Sequence, residues 1–261
     1  MTISVDLVAD LGESFGAWTM GEDDALLELL TSANIACGFH AGDPRTMDRT
    51  VRLCAERRIG VGAHPSFPDL VGFGRRAMDL TADEVRTDVL YQVGALQAFA
   101  SAHGTRVDHV APHGRLGNLV ATRQDYASAV VDAVRSVDPS MIVLAQDGAL
   151  ADAARKAGLT VAIVGIADRA YRPDGTLVPR SEPGAVIDDI DELVERTVLL
   201  VTERRLVAVD GTSLPIEVDT ILLHGDNTHA VAGARAVRRG LLDAGVTIAP
   251  LRSVLGERCS A

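Results

Sequence analysis

The chain has 261 residues, a formal charge of -11 at pH 7, and 47% apolar and 23% charged residues, an ordinary globular composition long enough for one β/α domain over residues 1–261. The acidity and the scattered arginines exclude non-specific nucleic-acid binding, which needs basic stripes along the phosphate backbone. No apolar run reaches the roughly 18 residues of a membrane span, and MTISVDLVADLGE lacks the basic and apolar regions of a secretory signal, so a cytoplasmic, membrane-free protein is expected.

Short β-branched apolar runs alternate with longer stretches of helical period. ISVDLVAD (3–10) reads as the first strand and GEDDALLELL (21–30) as a helix. TSANIACGF (31–39) is the second strand, and Asp43-Pro44 reads as N-cap and first residue of the helix through Arg58. GVGAH (60–64) is the third strand, followed by a long helix over 81–102 that Thr81 and Glu84 open as a capping box. RVDHVAP (106–112), MIVLAQ (141–146) and LTVAIVGIAD (159–168) are strands, with helices at 123–137 and 151–159 between them. The proline- and glycine-rich stretch ADRAYRPDGTLVPRSEPGAVI (167–187) is a loop whose length suits a lid or binding segment. A helix over 188–205, the strand TILLHGD (220–226), a helix over 227–245 and a last strand candidate, VTIAPL (246–251), complete the chain. Gly60, Gly104, Gly158 and Gly245 are the expected helix stops.

Seven or eight such βα repeats predict an α/β barrel. An open doubly wound sheet is disfavoured, because DLGESFG after the first strand has the wrong glycine spacing for a phosphate fingerprint. Cys37, Cys54 and Cys259 are widely spaced with no CxxC and read as reduced thiols. Lys156 is the single lysine and lies in a helical stretch, which argues against lysine catalysis unless at that residue.

In a β/α barrel the chemistry sits at the C-terminal strand ends and the loops beyond them. Unusual polar residues collect there: Asp10 and Glu13 after the first strand, Asn34, His40 and Asp43 after the second, His64 and His113 after the third and fourth, Asp168 and Arg169 after the sixth, His224 and Asp226 after the seventh. Singly, Asp43 is a helix cap and Asp10 and His224 are turn residues. Together at one end they are not required for folding and read as a site. His40, His64 and His113 are the candidate metal donors. No HExxH or other tight ligand spacing exists, so spacing leaves open a divalent metal centre or metal-free acid–base catalysis by histidine. Arg75 and Arg76 lie in the glycine-bounded loop GFGRRAM, as a bidentate anion site or equally as a solvated pair. Arg169, Tyr171 and Arg180 of the long loop are candidates for substrate contact.

The runs DLVADLGESFGAWTMGEDDALL, TSANIACGFHAGDP, GAHPSFPDLVGFGRRAM, LYQVGAL, PHG, ADRAYRPDGTLVPRSEPGAVI, AVDGTSLPIEVDT and HGDNTHAV together resemble the LamB/YcsF family across nearly the full length. The resemblance implies an irregular barrel of about seven strands like those of the glycoside hydrolase and deacetylase group. It also implies ATP-dependent opening of 5-oxo-L-proline to L-glutamate, with ATP as co-substrate and with 5-oxoprolinase subunits B and C as partners. Asp10, Glu13, His40, His64, His113 and His224 match the family's polar positions and are its implied catalytic set. Asn34, Arg75, Arg115, Asp168, Arg169 and Asp226 are the expected substrate-binding set.

The chain departs from the family pattern at several positions. Val8 stands for asparagine, Ala111 for lysine, Gly117 for tyrosine, Arg115 for a small residue and Val164 for glutamate. Loss of a lysine and a glutamate together reads as a paired loss, since either buried charge alone is costly. Arg115 is the candidate replacement cation. A diverged paralogue acting on a related cyclic amide fits the same residues. The competing readings are a metal-dependent carbohydrate or amide deacetylase and a non-catalytic partner of subunits B and C.

Overall fold

The computed structural model describes residues 3–225 and 229–259. Its elements begin with β1 (Ser4–Leu11), α1 (Asp23–Leu27), β2 (Ser32–Ala36), α2 (Pro44–Arg57), β3 (Gly60–His64), α3 (Ala82–Ala102) and β4 (Val107–Val110). They continue with α4 (Gly114–Val120), α5 (Gln124–Val137), β5 (Ile142–Ala145), α6 (Ala149–Lys156) and β6 (Val161–Ile166). The last are α7 (Ile190–Glu203), β7 (Arg205–Val207), β8 (Ser213–Pro215), β9 (Thr220–Leu223), α8 (Ala230–Asp243), β10 (Thr247–Ile248) and α9 (Leu251–Cys259).

β1 through β6 pair in sequence, all parallel, and β9 pairs with both β6 and β1, so seven strands close into a barrel. The expected irregular β/α barrel is therefore the observed fold. The eighth strand candidate is outside the closure. From Asp6 onward β1 pairs with β9 on one side, so β10 reaches only Ser4 and Val5, at the bottom of the barrel. No helix among the described residues is long and apolar enough to cross a membrane.

Residues in register share a face of the sheet, and successive residues alternate between faces. Asp6, Val8 and Asp10 of β1 therefore point inward with Ser32 and Asn34 of β2, Gly62 of β3, and Thr220 and Leu222 of β9. The outward residues Val5, Leu7, Ala9 and Leu11 are fully buried beneath the helices. Each larger side chain of this kind contributes about 1.5–3 kcal/mol of burial. The barrel floor is polar. Thr31, Ser32 and Thr220 donate hydroxyl hydrogen bonds of 2.6–2.7 Å to Asp6, whose carboxyl burial nonetheless pushes up to about 6.

Local chemistry sets the helix ends. Asp43 accepts hydrogen bonds from the backbone of Arg45 and Thr46 with Pro44 behind it, and Thr81 and Glu84 form the capping box. Gly104, Gly158 and Gly245 stop their helices with positive φ, but Gly60 does not. There Arg58 itself takes the left-handed position at φ 59, Ile59 N–H returns to the Cys54 carbonyl, and Gly60 is freed to begin β3.

Three elements were not legible in the sequence. α4 carries two glycines and α9 is short, so propensity hides both. The β7–β8 hairpin joins two three-residue strands, one ending in proline. Cys37 and Cys54 are free and buried, as expected for reduced thiols. Lys156 is exposed in the last turn of α6 and does not line the cavity described below.

Candidate active site at the barrel mouth

Asp10 is the last inward residue of β1, His64 ends β3, His113 is the N-cap of α4 beyond β4, and Asp168 and His224 follow β6 and β9. Glu13 and His40 come from the turns after β1 and β2. All but His224 are at least nine-tenths buried. Gly74 makes this packing possible. A Cβ there would sit 2.3 Å from Ser66 Oγ and 2.9 Å from His40 Cβ, so only glycine lets the 72–76 loop close over the histidines.

His64 Nε2 lies 3.2 Å from Asp10 Oδ1 and 3.0 Å from His113 Nδ1. Backbone carbonyls fix the other nitrogens, because an oxygen can only accept. His64 Nδ1–H donates to Ala111 O at 2.5 Å, and His113 Nε2–H donates to Phe73 O at 3.0 Å. The two nitrogens left facing each other are both lone pairs in neutral rings, and a proton or cation between them completes the contact. His40 Nε2 is 3.5 Å from Glu13 Oε1, and neither ring nitrogen of His40 has a hydrogen-bond partner among the described residues.

Burial pushes His40 and His113 well below the ordinary histidine range, and neighbouring histidines add to the effect. Burial would raise the Asp10 carboxyl, but His64, then His224 and His113, hold it below the usual carboxylate range. A second pair stands across the mouth. His224 Nδ1–H donates to Asp168 at 2.8 Å. Burial alone would lower His224, yet the Asp168 carboxylate, then Asp10, outweigh it and raise the imidazole above its ordinary value. Asp168, which burial would raise, is drawn down by His224.

Glu13, His40, His64 and His113 each offer one donor atom, all within 4.8 Å of one another, close enough for a divalent metal. His40 and His113 nevertheless stack face to face, with centroids 3.9 Å and planes 10° apart. Imidazole lone pairs lie in the ring plane, so stacked rings point side by side. One ring has to turn before both can hold the same ion.

The sequence matches the LamB/YcsF family over residues 5–256. The chain belongs to the LamB/YcsF family. A relative from Pyrococcus furiosus that bears the name of the 5-oxoprolinase A subunit is 49% identical over 250 residues, covering 95% of this chain and 98% of its own length. The crystal structure of the lactam utilization protein from Thermus thermophilus superimposes with a TM-score of 0.90 at 43% identity, covering 95% of this chain and all of that one. A deacetylase, T48, determined with substrate, matches at a TM-score of 0.52 and 15% identity over 98% of this chain and 92% of its own; this likeness is one of fold.

In this LamB/YcsF chain the mouth opens into a cavity of about 800 Å³, walled by Asp10, Asn34, His113, Arg115, Arg180 and His224 among others. Glu13, His40 and His64 lie behind that wall. Arg75 lines the cavity and packs over Phe73 at 4.9 Å, whereas Arg76 is paired with Asp69. Arg169 reaches the cavity, but its guanidinium donates to the carbonyls of Ala185 and Val178 and so pins the 170–187 loop. The Tyr171 hydroxyl is turned to the core, where it accepts from Ile166 N–H at 2.9 Å. Asp226 lies outside the described residues.

The positions that depart from the family pattern divide. Ala111, Gly117 and Val164 line this cavity together with Arg115. Val8 does not: it is fully buried two residues below Asp10. Val164 is in register with Thr220, one layer below Ile166 and Leu222. Arg115 is exposed on α4 and makes no ion pair with the described residues. Sequence reasoning missed His109, a fully buried histidine whose Nε2–H donates to Asn34 Oδ1 at 2.8 Å.

Proposed function

We propose that this chain is the A subunit of a 5-oxoprolinase, which opens the ring of 5-oxo-L-proline to L-glutamate with ATP as co-substrate, working with subunits B and C in the cytoplasm. The observation that carries this reading is the 49% identity, over nearly the full length of both chains, to a relative that bears the name of the 5-oxoprolinase A subunit. The cavity chemistry supports it. The deacetylase and non-catalytic readings have no comparable support, since the deacetylase likeness is confined to fold.

A lactam carbonyl is a poor electrophile, and phosphorylation of its oxygen by ATP makes the carbon attackable by water. ADP leaves as the phosphate forms on oxygen, water adds to the ring carbon, and the ring C–N bond breaks with its electron pair taking a proton on nitrogen. A second water then attacks the resulting acyl phosphate, releasing phosphate and leaving the glutamate carboxylate. His224 is assigned as the base toward water: with Nδ1–H held by Asp168, the neutral ring carries its lone pair on Nε2. Protonated in that step, His224 is assigned to return the proton to the leaving nitrogen, and the Asp10 carboxylate on the same cavity wall to accept a hydrogen bond from it. Arg115 and Arg180 are assigned to the substrate carboxylate or phosphate.

The test is ATP-dependent glutamate release from 5-oxoproline by this chain mixed with B and C subunits, with a family member of known activity as control. Turnover comparable to the control is expected; its absence, with the complex assembled, would sink the reading. Arg115→Ala is expected to lower kcat/KM about 10- to 150-fold, mostly through KM, the size of one charge-assisted hydrogen bond. Unchanged kinetics would remove Arg115 from the substrate contacts.

A further inference from the structure

We infer that His109 and Asn34 are positioning residues, a hydrogen-bonded chain through the barrel interior that fixes the orientation of Asp10 toward His64. His109 Nε2–H donates to Asn34 Oδ1 at 2.8 Å, Asn34 Nδ2–H donates to Asp10 Oδ1 at 2.9 Å, and the same Asp10 oxygen lies 3.2 Å from His64 Nε2. The chain has a direction. Asp10 as a carboxylate only accepts, so the Asn34 amide must turn its NH2 group to Asp10 and its oxygen to His109. A donor at His109 enforces that choice, because the reverse rotamer sets two N–H groups against each other.

Three local costs of the fold converge on this single N–H group. The β3–β4 register slips between Val61 and Gly62: Val61 pairs with Val107, but Gly62 pairs with His109, and the extra residue, Asp108, is absorbed as a bulge. Bulges of this kind re-aim side chains, and this one turns His109 inward. Gly62 then leaves the space His109 occupies, since a Cβ there would lie 2.0 Å from His109 Nε2. Glycine inside a strand weakens it. Finally, His109 Nδ1 is buried without a hydrogen-bond partner among the described residues. A leucine at 109 would avoid the last of these and suit the core better. What only the histidine provides is the donor to Asn34, and through it a fixed Asp10.

The kinetic part of the test rests on the 5-oxoprolinase reading; the spectroscopic part does not. His109→Leu removes the donor, and His109→Gln restores an N–H donor near the same place. In the assembled enzyme His109→Leu is expected to lower kcat about 10- to 100-fold with KM within about twofold, and His109→Gln to recover at least about half of the lost activity on a logarithmic scale. In the isolated chain, ¹⁵N-resolved imidazole spectra are expected to show the His64 Nε2 resonance moved in His109→Leu and returned in His109→Gln, with near-ultraviolet circular dichroism of both variants native. Wild-type His64 resonances in a folded His109→Leu chain would overturn the inference. So would equal kcat loss in both variants. If the wild-type complex has no oxoprolinase turnover, the His64 resonances alone decide, so the two readings fail separately.

Discussion

Asp168→Asn is expected to lower kcat by about 10²–10⁴-fold while leaving the fold intact, the range for disabling a histidine acid–base group. Two effects combine. The carboxylate accepts from His224 Nδ1–H at 2.8 Å and so keeps the neutral ring's lone pair on Nε2. An asparagine at 168 can instead turn its NH2 group toward Nδ1 and stabilise the opposite tautomer. The second effect is electrostatic. Burial pushes His224 down and Asp168 more than reverses it, so the wild-type imidazole titrates above its ordinary value of 6.5. A base must be deprotonated, so wild-type kcat is expected to rise with pH through a limb displaced upward from the ordinary imidazole range. Without the carboxylate, burial prevails, and the acid limb moves to lower pH even as the plateau falls. A pH–rate profile of the variant measures both. A limb that stays in place, or moves to higher pH, removes His224 as the base.

Gly62→Ala is expected to destabilise the protein by about 3 kcal/mol or more, near the top of the usual range for overpacking. The new methyl group falls 2.0 Å from His109 Nε2, 2.3 Å from Cε1 and 2.4 Å from Cδ2, so the whole ring must leave its place. Strands β2 and β4 flank Gly62 and the barrel is closed, which leaves little room for the backbone to yield. Urea denaturation measures the loss directly. The double variant Gly62→Ala with His109→Ala is expected to recover most of the stability, because the clash disappears with the ring. A Gly62→Ala chain of wild-type stability would mean that the barrel interior is looser than its packing indicates.

The strand-end histidines and carboxylates were legible because barrel topology assigns each residue to an end of the barrel from its position in a βα repeat. Asp10, Asn34, His64, His113, Asp168 and His224 are found where alternation and strand order predict them. His109 was not legible. It lies inside VDHV, where simple alternation fixes its face only if the register is regular, and the bulge at Gly62 is a property of two strands together. The same limit hid the division of labour among the arginines. In sequence Arg75, Arg76, Arg115 and Arg169 are equivalent cations. Asp69 claims Arg76 and the carbonyls of Val178 and Ala185 claim Arg169, while Arg115 still faces the cavity.

The sequence by itself determined the repeated βα order, the helix caps at Asp43 and Thr81, the family, and the end of the barrel that holds the polar residues. These depend on nearest neighbours along the chain and on hydrophobic period, which one dimension records. Tertiary structure alone decided which strand candidate stays outside the closure: β10 is shut out because β9 occupies the edge of β1 above it. It alone set His64 against His113, stacked His40 on His113, and joined His109 through Asn34 to Asp10. Those contacts link residues 24 to 75 positions apart. A hydrogen bond's direction or a ring's tilt is set by where both partners end in space, which neither local sequence encodes.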